Sequence, residues 1–144
     1  MVEFIVLKRL LLAVVLGAII GYERQRAHKI AGLRTHLLVC VSSALITAVA
    51  VYGFDYLGGA SSESASRIIA NILVGIGFIG GGTIVKMESH IMGTTTAATL
   101  WTVAAIGIAA GIGFTYAAIA VTLIAYLILT ILWRFETKIE GYEK

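Results

Sequence analysis

Apolar residues arrive in blocks long enough to cross a bilayer, and the polar positions fall between the blocks. The first, FIVLKRLLLAVVLGAIIGY over residues 4–22, is broken only by Lys8 and Arg9. The polar stretch ERQRAHKIAGLR separates it from a second block over residues 35–54. A Gly/Ser-rich stretch, DYLGGASSESAS, leads into a third block over residues 67–85. After a short polar elbow, KMESH, residues 91–133 carry no charge at all. One crossing takes about 20 residues, at about 1.5 Å each over roughly 30 Å of hydrocarbon. The uncharged run is about twice that length, so it turns back, and Gly111 and Gly113 supply the backbone freedom for the reversal. The pattern predicts an all-α, polytopic membrane protein: one transmembrane domain over residues 1–144, with about five helices near 4–22, 35–54, 67–85, 95–110 and 115–133.

Composition agrees with lipid as the solvent. Charged residues make up 13% of the 144 positions, where a soluble domain carries about 25%. Pro is absent, and the single Cys40 excludes a disulfide or a Cys-based metal site within one chain. A signal peptide would place its basic residues before the apolar core and a small-residue cleavage site after it. Here Lys8 and Arg9 interrupt the core, and Glu23 and Arg24 follow it, so the block is expected to be retained. Nucleic acid is not an expected partner for so apolar a chain; the lipid bilayer is. With the N-terminus outside and the C-terminus inside, eight of the eleven Lys and Arg residues lie inside; the reverse orientation leaves three.

Residues 67–101 draw attention next. Gly75, Gly77, Gly80, Gly81 and Gly82 give an apolar segment almost no side-chain bulk. Each interior Gly weakens a helix in water by about 1 kcal/mol relative to Ala, but in lipid small residues let helices approach closely. These five glycines are therefore expected to pack against other helices. Gly75 to Gly80 also spells GxGxxG, which binds dinucleotides only between a strand and a helix of a soluble unit; inside an apolar span it does not. Unwinding at Gly80, Gly81 and Gly82, as in the broken helices of transporters, is a sharper alternative.

Ionisable groups near the membrane are costly and usually face a partner or a wet cavity. The candidate polar cluster comprises Arg9, Glu23, Arg24, Arg34, Thr35, Arg67, Asn71, Thr94, Thr95 and Thr96. Arg67 and Asn71, four apart, share a helix face, and Glu23 has Arg24, Arg26 and Arg34 as available partners. The threonines open a helix whose free amides, beside Arg34, make a corner favourable to anions; the plainer alternative is that they cap the helix and bond to neighbours. His28, His36 and His90 lack metal-ligand spacing and are expected at surfaces or interfaces. One acid near the core does not make a Mg²⁺ cage. No catalytic constellation, cofactor or metal is expected.

In this order and spacing, Arg9 with LLLAVVLGAIIGYERQ, AGLRTHLLV, RIIANILVGIGFIGGGTI and GTTTAATLWTVAAIGIAAG resemble the MgtC/SapB family of bacterial membrane proteins. The resemblance covers nearly the whole chain and implies a multi-pass protein of the inner (plasma) membrane. It implies a link to magnesium homeostasis and growth at low magnesium, and to virulence in intracellular pathogens. It puts a polar signature on Arg9, Glu23, Arg24, Gly32, Arg34, Thr35, Arg67, Gly75, Gly77, Gly80, Gly82, Thr95, Thr96, Ala97 and Trp101. Longer members append a soluble, ACT-like domain, so functions of that domain are expected to be absent here. Two functions follow. One is a regulator acting on another inner-membrane complex, for which the resemblance names the F-type ATP synthase. The other is a transporter or channel, for Mg²⁺ by the family's label or for an anion such as phosphate by residue chemistry. A thin bundle rich in small residues also leads us to expect a homodimer.

Overall fold

The computed structural model describes residues 2–53, 62–88 and 90–140, with the backbone alone of Ser62 and of residues 134–140. Five helices dominate: α1 (Val2–Arg26), α2 (Leu33–Ala48), α3 (Ser62–Gly82), α4 (Thr94–Ile112) and α5 (Thr115–Glu140). Each is long and apolar enough to cross a membrane. A π-helical turn, Val49–Gly53, extends α2. Most of the connection before α3 lies outside the described residues, as do the last four positions of the chain.

Helix ends follow local chemistry. α1 closes on Arg24 and Arg26, cations that suit the negative end of the helix dipole. His28 then takes the left-handed conformation (φ 52), with its amide bonded to Gln25 O at 3.2 Å and that of Lys29 to Arg24 O at 3.1 Å. This is a Schellman ending with histidine where glycine is usual. α4 begins after Gly93 (φ 89) and ends at Gly113 (φ 104), which lets α5 turn straight back.

The third helix differs from the sequence expectation at both ends. It starts at Ser62 and stops at Gly82 rather than running to residue 85. Three consecutive glycines hold a helix weakly, and Thr83 finishes it by donating its amide (3.0 Å) and hydroxyl (2.7 Å) to Gly80 O. Val85–Lys86 and Ile91–Met92 then pair as a short antiparallel ladder, β1 and β2, where a plain elbow was expected. The glycine triplet itself remains helical.

α1, α2 and α4 form the packed centre, with α3 against α4 and the π turn, and α5 against α4 and α1. Two GxxxG pairs make this centre close. On α1, a Cβ added at Gly17 would lie 2.8 Å from Cys40 Cβ, and one at Gly21 2.9 Å from Leu33 Cα. On α4, a Cβ at Gly107 would lie 2.9 Å from Ser43 Cβ, and one at Gly111 2.8 Å from Thr47 Cβ. All four press on α2, which is sandwiched between two glycine-lined helices. Around them the core is small or branched: Ala13, Ala44, Ala104 and Ala110 with Ile20, Leu100, Val103 and Ile106.

The glycines singled out on α3 behave differently within one chain. A Cβ added at Gly80 would lie 3.5 Å from Ala97 Cβ, but among the described residues one at Gly75, Gly77, Gly81 or Gly82 would meet nothing within 4 Å. The helix packs along its Ile76 and Gly80 side and turns the rest outward, with Phe78 86% exposed.

Replacing Gly107 or Gly111 by Leu is therefore expected to reduce stability by about 3 kcal/mol or more, since a crowded core has no room for added methylenes. Gly81→Leu is expected to leave folding intact. Thermal unfolding in detergent, followed by the loss of monodisperse protein, checks both.

Candidate functional site

One end of the bundle gathers the polar groups of α1, α2 and α4. At the close of α1, Glu23 and Arg24 are both buried, Arg24 to 2% exposure. Arg24 Nη2 donates to Glu23 Oε1 at 2.6 Å while its Nε donates to Oε2, a two-pronged pair between neighbouring residues. Of the three partners open to Glu23 in the sequence, the fold selects Arg24. Such a pair keeps its charges only because each ion satisfies the other.

Beside it, His36 on α2 has no exposed surface, where a surface or interface position was expected. Gly21 leaves the space: its missing Cβ would stand 3.0 Å from His36 Cβ. His36 Nδ1 bonds Gly32 O at 2.8 Å, and Nε2 bonds Thr99 Oγ1 of α4 at 3.1 Å. Thr99 Oγ1 is also 2.9 Å from Thr96 O. Since a carbonyl only accepts, Nδ1 carries a proton. The one hydroxyl proton of Thr99 then goes to Thr96 O when the ring is an imidazolium, or to Nε2 when the ring is neutral. His36 thus ties the first turn of α2 to the second turn of α4, whichever form it takes.

Neither helix start has a side-chain cap of its own: Gly32 precedes α2 and Gly93 precedes α4. Gln25 Oε1 reaches across from α1 to accept from Leu33 N at 3.4 Å. The threonines are inside the helix rather than capping it. Thr96 is buried, Thr94 and Thr95 are exposed, Thr35 is half-buried, and Arg34 is exposed beside them.

At the opposite end, Arg9 solves a different problem. The last carbonyls of α4 lack intrahelical partners. Arg9 Nη1 donates to Gly111 O at 2.8 Å and to the Tyr52 hydroxyl, which in turn donates to Ile112 O at 3.3 Å. The guanidinium also lies over the Tyr52 ring, 4.7 Å from its centroid. A cation at the negative end of a helix is electrostatically well placed, and the π turn after α2 carries Tyr52 there.

The ten residues expected to form one polar cluster are thus divided. Glu23, Arg24, Arg34, Thr35, Thr94, Thr95 and Thr96 lie at the His36 end, and Arg9 at the other. Arg67 stands near the start of α3, mostly exposed, 3.3 Å from Glu63 one turn back. Asn71 sits midway along α3, on a groove of about 550 Å³ between α2 and α3 that Leu38, Ser42, Ile46, Gly75 and Ile79 also line. A second cleft, of about 400 Å³, lies between α1 and α5 among Tyr22, Arg26, Tyr126 and Trp133. Among the described residues, no three His, Cys, Asp or Glu side chains gather as metal ligands. Sequence reasoning missed His36 and both GxxxG pairs; the four-residue glycine spacing was the available signal.

Arg24→Leu should cost about 3–5 kcal/mol by stranding a buried carboxylate, and Glu23→Leu in the same chain should recover most of it. Thermal unfolding of the single and double variants in detergent measures both.

Residues 10–138 match the model of the MgtC family. Among curated proteins, the chain is 45% identical over 117 residues to Escherichia coli K12 YhiD, named "Putative magnesium transporter YhiD", covering 77% of this chain and 52% of that protein. It is 40% identical over 124 residues to Protein MgtC of Salmonella typhimurium, covering 86% of this chain and 51% of that one. The chain spans about half the length of these relatives. No solved structure matches.

Proposed function

Because the chain belongs to the MgtC family, we propose that it is a multi-pass protein of the bacterial inner membrane that serves magnesium homeostasis and adaptation to low magnesium as a regulator, through contact with a membrane partner. The observation that carries this reading is where the polar groups are closed and where they are open. Glu23, Arg24 and His36 at one end, and Arg9 at the other, are held by partners inside the bundle. What stands open is the lipid-facing side of α3. There Gly77 and Gly81, four apart, leave a strip without side chains beside the exposed Val74 and Phe78. Such a strip lets the backbone of a foreign transmembrane helix come close. The name of one relative brings in magnesium, and the charge bias favours a cytoplasmic His36 end. No catalytic step is assigned to the chain. The first partner to test is the F-type ATP synthase.

A second reading has one feature in its favour. The starts of α2 and α4, neither preceded by a residue that caps it, lie side by side, joined by His36 and Thr99, and Arg34 in the first turn of α2 is exposed. Helix N-termini attract anions, so this corner suits transport of a small anion such as phosphate.

Purified protein in liposomes separates the two. The regulatory reading expects no Mg²⁺ or phosphate flux above that of empty vesicles, and robust flux of either ion would overturn it. Gly77→Leu with Gly81→Leu is expected to reduce co-purification of the membrane partner about tenfold while the protein stays folded, which is the range that helix-packing contacts supply.

A further inference from the structure

We infer that a second copy of this chain docks on the edge of α3 carrying Ile68, Asn71, Gly75, Phe78 and Gly82, with the two Asn71 carboxamides bonded to each other across a twofold axis. Asn71 lies one turn, about 6 Å along the axis, beyond the exposed Arg67 and within the apolar part of α3. Its side chain is exposed, and among the described residues it makes no hydrogen bond. In water that would be unremarkable. In hydrocarbon an unpaired amide is costly, and no solvent replaces the missing partner.

The spacing of the edge supplies the geometry. Positions 68, 71, 75, 78 and 82 follow alternating steps of three and four, the seam of two helices packed side by side. Gly75 and Gly82 fall at the same place in that repeat, and nothing lies within 4 Å of either on its open side. A neighbouring backbone can therefore approach near Asn71. Two copies inserted the same way and related by an axis along the membrane normal present Asn71 at the same depth. A carboxamide both donates and accepts, so two of them complete each other. An acyl chain offers neither group. The edge is also distinct from the Gly77 and Gly81 strip, which lies about a third of a turn away around the helix. The inference rests on α3 being a contact helix, as in the proposed function, but not on who the regulatory partner is.

The test uses the full chain in nanodiscs drawn directly from membranes, with particle mass and subunit photobleaching as readouts. Dimers are expected, and Asn71→Leu should weaken them about tenfold, the scale of interhelical hydrogen bonds in lipid, while Asn71→Gln retains them. Asn71→Leu removes a polar group from a lipid-facing position, so its thermal stability as a monomer should not fall. With Cys40→Ala as background, Asn71→Cys and Gly75→Cys should crosslink between copies, and Gly77→Cys should not. Particles of one copy, dimers indifferent to Asn71→Leu, crosslinks centred on Gly77, or a groove holding only lipid or an unrelated helix would each overturn the inference. Gly77→Leu with Gly81→Leu keeps the two ideas apart. Dimers that persist while the partner is lost support both, and a retained partner without dimers removes this inference alone.

Discussion

A bilayer offers no water to an unpaired polar group, and that constraint shapes the charged side chains drawn into this bundle. Glu23 and Arg24 face each other at the end of α1 because either alone would be stranded. Arg9 enters an apolar helix but ends on carbonyls that α4 leaves free, with Tyr52 bridging the last of them. His36 bonds through both ring nitrogens. Arg9 and His36 thereby become clamps between helices. The exceptions stand out against this background. Among the described residues Thr47 Oγ1 is buried without a partner, and Asn71 is turned outward.

The clamps work because the helices are already close. Gly17 and Gly21 bring α1 onto α2 from one side, and Gly107 and Gly111 bring α4 onto it from the other. In lipid the hydrophobic effect gives helices no reason to associate, so shape and hydrogen bonds decide. The same glycines place polar partners within reach: Gly21 makes room for His36, and Gly111 offers its carbonyl to Arg9. A tight three-helix centre therefore carries two looser helices. α3 keeps much of its surface toward lipid, which is where a protein with closed polar ends can meet others.

Membership of the MgtC family and the magnesium-related name of one relative set the biological frame. Within it, the division of charged groups between the two ends bears on mechanism. A regulator needs a stable body and an open face, and the body here is α1, α2 and α4. An anion carrier would need the corner formed by the starts of α2 and α4 to communicate with the far end. The residues between them, such as Ala44, Val103, Ala104 and Ile106, are tightly packed and apolar.

The sequence by itself determined the solvent and the number of crossings, because apolar length and the near absence of charge depend only on composition along the chain. It also placed the reversal before the last helix at Gly113, which takes the left-handed region that only glycine enters freely, whereas Gly111, expected in the same turn, is still helical and packs on α2. It could not say which glycines are contacts and which are exposed. That depends on which face each helix turns inward, and a helix apolar all round carries no such signal. Nor could it divide the polar residues. Arg9 and Arg24 look alike in the chain, yet Arg24 pairs with its neighbour Glu23, while only the antiparallel packing of α1 and α4 brings Arg9 to the carbonyls of α4. His36 was hidden for the same reason. One partner, Gly32 O, is local, but Thr99, sixty-three residues away, becomes a neighbour only when α2 lies against α4.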